Sequence, residues 1–101
     1  MRKINNNVEY MHDILYQLYS GKNTRRKTFN NLNIRYSTFK RYLAKLMLYG
    51  LVKERKATVK ELRIDKRSRR YIEITDKGRM FLSEIKKLDK KYDGILLGER
   101  T

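Results

Sequence analysis

The chain has 101 residues, with 26 Lys and Arg against 11 Asp and Glu, a formal net charge of +15, and 40% hydrophobic residues. That apolar content supports one modest core but not two, so the whole chain, 1–101, reads as a single domain. The absence of cysteine excludes disulfides and thiolate metal sites. No apolar run approaches about 18 residues and the N-terminus lacks a secretory h-region, so the reading is cytoplasmic, with no membrane contact.

In chain order, the spacing predicts a first helix over about 7–20, with Ile4, Val8, Met11, Ile14, Leu15 and Leu18 on one face. Gly21 stops it. A short second helix fits Thr24 to Leu32, capped by Thr24, with Phe29 and Leu32 facing the core. The third helix, about 35–49, carries the stripe Tyr36, Phe39, Leu43, Leu46 and Met47, and Gly50 ends it. From Leu51 to Thr75 the helical period disappears. Val59, Leu62 and Ile64, then Tyr71, Ile72 and Ile74, read as two short strands. They flank a basic turn, 65–70, whose register the two apolar sets do not fix. A last helix begins after its N-cap Thr75 and spans 76–93, with Phe81, Ile85, Leu88 and Tyr92 at three- and four-residue spacing. Residues 94–101 read as a flexible tail. Tyr19, Tyr36, Tyr42 and Tyr92 sit on or beside apolar stripes and are expected in packing roles, while Tyr49 and Tyr71 stay open between packing and base stacking.

The charge is unevenly spread. Residues 22–70 hold 17 basic and three acidic side chains, and no acidic residue occurs between Asp13 and Glu54. Solvated surfaces usually mix signs, so a one-signed segment inside a folded domain points to a polyanionic partner. Nucleic acid is the common case and an anionic membrane surface the rarer one.

The order helix, helix, helix, hairpin, helix matches an α+β winged helix-turn-helix with an added C-terminal helix. Two motifs strengthen this. Tyr42-Leu43, Leu46 and Gly50-Leu51-Val52 resemble the end of a winged-helix recognition helix. Tyr71, Ile74-Thr75, Lys77-Gly78 and Phe81-Leu82 resemble the junction of the second wing strand with the last helix. The resemblance covers about residues 8–93. It is nearest to archaeal winged-helix DNA-binding proteins: crenarchaeal nucleoid proteins that dimerise through a C-terminal helix, and small regulators of crenarchaeal viruses. Two features depart from it. The segment from Val52 to Tyr71 is longer than in many relatives, and Arg35 stands where relatives often carry a small capping residue.

What the resemblance and the charge imply together is binding of double-stranded DNA. The recognition-helix residues are Arg35, Ser37, Thr38, Lys40, Arg41 and Lys45, because a helix fits the major groove and Arg pairs bidentately with guanine. Lys66, Arg67, Arg69 and Arg70 at the hairpin tip suit phosphate or minor-groove contact. Arg25, Arg26 and Lys27 open the second helix, where cations and helix N–H groups both favour phosphate. Ile85, Leu88 and Tyr92 are read as a homodimer interface. Rivals stay open: a nucleoid-type architectural binder, an RNA or single-strand binder, and a protein-interaction adaptor. His12 is the single histidine, and P-loop, GxSxG and HExxH patterns are absent. The chain reads as neither an enzyme nor a binder of metal, cofactor or small-molecule ligand.

Overall fold

The computed structural model describes residues 7–91. The elements run α1 (Asn7–Leu18), α2 (Arg25–Asn30), α3 (Tyr36–Leu48), β1 (Val52–Lys56), α4 (Val59–Ile64), β2 (Arg70–Ile74) and α5 (Asp76–Lys91). The architecture is α+β, as the sequence predicts: a helical core with a two-stranded antiparallel hairpin.

The core forms where the apolar stripes of the helices meet. Ile14, Leu15 and Leu18 of α1 and Phe39, Leu43 and Leu46 of α3 are all but completely buried. They join Leu51, Val52, Ile72, Ile74 and Leu82 in one cluster. Each such side chain contributes about 1.5–3 kcal/mol by leaving water. Ring packing ties α2 to α3: Phe29 lies 5.5 Å from Phe39 and meets Tyr36 edge-on at 5.1 Å.

Two glycines shape the junctions. Gly50, at φ +74°, ends α3 in the left-handed region. Its N–H donates to the Met47 carbonyl at 3.0 Å and that of Leu51 to the Leu46 carbonyl at 2.8 Å, the paired bonds of a Schellman cap. Gly78, on the first turn of α5, lies against β1's entry. A Cβ there would sit 2.1 Å from the Leu51 carbonyl oxygen. Thr75 fastens the same corner. Its hydroxyl donates to the Gly50 carbonyl at 2.6 Å and accepts from the Gly78 N–H at 3.0 Å.

The register of the hairpin pairs Val52 with Ile74 through Lys56 with Arg70. On the far edge of β2, Asn23 exchanges both backbone hydrogen bonds with Ile72, at 3.0 and 2.7 Å, which anchors the hairpin to the segment before α2.

Three expectations change. The strand foreseen through Val59, Leu62 and Ile64 is the helix α4. Thr58 caps it: its hydroxyl accepts from the Glu61 N–H, and the Glu61 carboxylate accepts from the Thr58 N–H at 2.8 Å. This reciprocal capping box favours a helical turn over the local β-propensity. Val59 and Ile64 are 68% and 87% exposed, so no sheet face claims them. Tyr19, expected in a packing role, is half exposed; Tyr36 is also half exposed but packs one side of its ring on Phe29, and Tyr42 is buried as expected. On α5 the anticipated Ile85 is buried, but beside it the helix buries Leu82 and leaves Phe81 only partly covered, because the buried face is turned toward Gly78 and Leu82. The extension of the last helix to 93, Tyr92 and the tail 94–101 lie outside the described residues.

Candidate nucleic-acid interface

The outward face of α3 follows from its buried one. With Phe39, Leu43 and Leu46 turned inward, Ser37, Lys40, Arg41, Ala44 and Leu48 remain exposed, with Thr38 and Lys45 at the margins. Lys40 lies over the Tyr36 ring at 5.7 Å, and Arg41 and Lys45 over the Tyr42 ring at 5.2 and 5.0 Å. Tyr42 is fixed from behind by stacking on Tyr10 at 4.9 Å. A neutral ring orients each of these cations without cancelling its charge. Arg35 is the exposed N-cap residue of α3, and its side chain makes no capping bond.

Arg25 and Arg26 line two adjoining clefts. One, with Phe29, Asn30 and Tyr36, reaches the start of α3. The other, ≈ 930 Å³, reaches Arg67, Arg69 and Arg70 at the hairpin tip and also takes in Lys27. A single basic surface therefore runs from α3 across the first turn of α2 to the hairpin. Lys66 is not part of that cleft. It lines a second hollow of ≈ 590 Å³ on the hairpin, with Lys56, Ala57 and Leu62, which shares Arg69 and Arg70 with the cleft.

The carboxylates of the basic segment are engaged internally. Glu54 accepts from Arg25 Nε at 2.9 Å and lies 3.8 Å from Arg70, so Arg25 is a paired cation. Asp65 accepts from the Ser68 hydroxyl at 2.6 Å and the Arg67 N–H at 3.0 Å, which closes the turn at the tip. These bonds, with the Lys27 charge adding attraction, hold its carboxyl below the usual range. Glu61, only 6% exposed, receives Arg55 at 2.7 and 2.8 Å as well as Lys22. Arg55 also donates to Glu73 at 3.0 Å and, like Lys22, lies over the Tyr71 ring. This cluster pins α4 to the hairpin. The bonds from Arg55, then Lys22, then the Thr58 N–H hold the Glu61 carboxyl well below the carboxylate range. Glu61 and Glu73 in turn raise the Arg55 guanidinium.

Of the 17 basic residues between 22 and 70, Lys22, Arg25, Lys53, Arg55 and Arg70 form ion pairs. The other twelve form none with a described residue. That set includes Arg26, Lys27, Lys40, Arg41, Lys66 and Arg67. It also includes Lys60 and Arg63 on α4, both exposed, which the strand reading of this segment passed over. The signal that could have found them is Thr58-Val59-Lys60-Glu61, a capping-box pattern.

A family described as winged helix-turn-helix matches residues 6–93. The chain belongs to the winged helix-turn-helix family. Within it, α2 and α3 form the helix-turn-helix, and β1, α4 and β2 form the wing, which in this member carries a short helix. Among solved structures, the adhesin competence repressor AdcR from Streptococcus pyogenes superposes with a TM-score of 0.57 at 22% identity. The match covers 90% of this chain and 62% of the AdcR chain, and at that identity the likeness is one of fold. No curated protein matches the sequence significantly.

The described residues contain no group of three or more His, Asp or Glu side chains placed to hold a metal ion. His12 is buried, 3.0 Å from Asp13 and stacked on Tyr16. No described helix is long and apolar enough to cross a membrane.

Proposed function

We propose that the protein is a transcription regulator that binds double-stranded DNA, with α3 in the major groove and the wing on the flanking backbone. The observation that carries this reading is the surface that joins Arg67 and Arg69 through Arg25 and Arg26 to Tyr36, over whose ring Lys40 lies; most of these cations have no carboxylate partner among the described residues. Phosphates would satisfy them and release counterions. Ser37 and Arg41 stand on the outward face, where base edges are read. Arg35, Thr38 and Lys45 flank that face, and Lys66 adds charge on the wing. The two sequence motifs support an assignment among the small winged-helix proteins of archaea and their viruses.

A second reading, an architectural binder with little sequence preference, is favoured by one feature. The exposed face of α3 carries Lys, Arg, Ala44 and Leu48 but no Asn or Gln, the residues that pair with adenine. Selection of bound sequences from a random duplex pool separates the two. An enriched motif supports the regulator, and an unenriched pool with retained affinity supports the architectural role. Competition by single-stranded DNA or RNA that outperforms duplex would overturn both.

A homodimer is part of the same proposal. Leu88 is 44% exposed on α5, and Met80, two turns earlier, is 70% exposed. Ile85 is already covered by its own chain at 5% exposure, so the proposed contact centres on Leu88, with Tyr92 continuing the spacing in sequence.

A further inference from the structure

The domain carries a second basic surface, away from the helix-turn-helix. α5 packs along α1 on one side, and α3 packs on α1 as well. In the groove between α5 and the end of α1, Arg79 lies over the Tyr19 ring at 5.0 Å and Lys86 over the Tyr16 ring at 4.8 Å. Both rings are half exposed. Arg79, Ser83, Lys86 and Lys90 line this ≈ 360 Å³ groove together with Tyr19. Their sequence spacing puts them on one stripe of α5, about 16 Å long at 1.5 Å per residue. None of Arg79, Lys86 and Lys90 forms an ion pair with a described residue, whereas Lys87, which also lines the groove, has Glu84 at 3.9 Å. Each ring holds a cation in place while leaving its full charge and its outward N–H donors available. At about 100° per residue, Leu88 lies about half a turn around the helix from this stripe, so a dimer contact there leaves the stripe open.

We infer that this stripe is a second phosphate-binding surface, and that its partner is the backbone of a second DNA duplex, so that the protein bridges two duplexes. The inference rests on the DNA-binding reading above. A row of cations, two of them ring-oriented and none paired with a described carboxylate, fits a regularly spaced polyanion and reads no sequence.

The test is capture of a fluorescent duplex by a bead-bound duplex in the presence of the full chain, alongside single-duplex affinity by anisotropy. Wild type should capture the second duplex. The variant Arg79→Ala/Lys86→Ala/Lys90→Ala should lose capture by about ten-fold or more while single-duplex affinity changes by less than about three-fold. Tyr16→Leu/Tyr19→Leu, with every charge kept, should lose capture in part, and Lys86→Glu alone should weaken it with the fold checked by circular dichroism. Single-duplex binding by wild type without capture overturns the inference and leaves the DNA-binding reading standing. Failure to bind any duplex overturns both. Parallel loss of single-duplex affinity in the triple variant would assign the stripe to the first interface, and capture lost in Leu88→Glu but kept in the triple variant would trace bridging to dimerisation. Either result overturns the inference.

Discussion

Arg55 grips Glu61 with two nitrogens, Nη1 to Oε1 at 2.7 Å and Nη2 to Oε2 at 2.8 Å, and so locks the helix α4 onto the strand β1. A planar fork on a carboxylate fixes direction as well as distance. The wing thereby becomes a positioned block rather than a long loop. Glu61→Gln keeps the shape and removes the charge. Hydrogen exchange of the amides of 59–64 should then speed up, and affinity should fall several-fold for all duplexes alike. Unchanged exchange in this segment would show that the pair does not hold α4.

The same pair has a pH signature. The Glu61 carboxyl is depressed in the folded chain, so its stabilising effect is complete above the ordinary carboxylate value and is lost as pH falls below it. Thermal melts of wild type and Glu61→Gln should therefore differ most near neutrality, begin to converge below about pH 4 and go on converging as the pH falls further. A difference that stays constant from neutral to acid would contradict the linkage.

Gly78→Ala should destabilise the fold by about 2–3 kcal/mol, since the added methyl meets a backbone carbonyl that cannot rotate away. Denaturant unfolding measures it. A loss below about 0.5 kcal/mol, the range of ordinary surface changes, would mean that α5 shifts freely against Leu51.

Arg41→Ala should weaken the preferred duplex by about 1–3 kcal/mol and relax its sequence preference. Replacing Lys66, Arg67, Arg69 and Arg70 by Ala should instead weaken every duplex similarly and flatten the salt dependence. For wild type the log–log slope of affinity against salt should be about −4 to −8, as for a dimer neutralising about five to nine phosphates. A slope near zero with affinity retained would remove the electrostatic basis of the reading.

Sedimentation equilibrium tests the dimer. Wild type should be dimeric at tens of micromolar, roughly the range where a modest apolar contact holds, and Leu88→Glu should be monomeric. A monomeric wild type rules this interface out.

Much of the protein was legible in the residue order. Apolar spacing located α1, α3 and α5, and with the Thr24 cap also α2, because a helix repeats every 3.6 residues and its buried stripe must match. Thr24 and Thr75 marked helix starts through capping chemistry, and the run without acids from Ile14 to Lys53 marked the charged surface. Tertiary structure decided the rest. Val59, Leu62 and Ile64 look like a strand by composition, but a strand needs a partner edge, and the edges of β2 are taken by β1 and Asn23. Neither the joining of Arg25 to Glu54 nor the meeting of Lys22, Arg55 and Glu61 can be read from spacing. Each brings together side chains from different elements, and only the folded chain sets those distances.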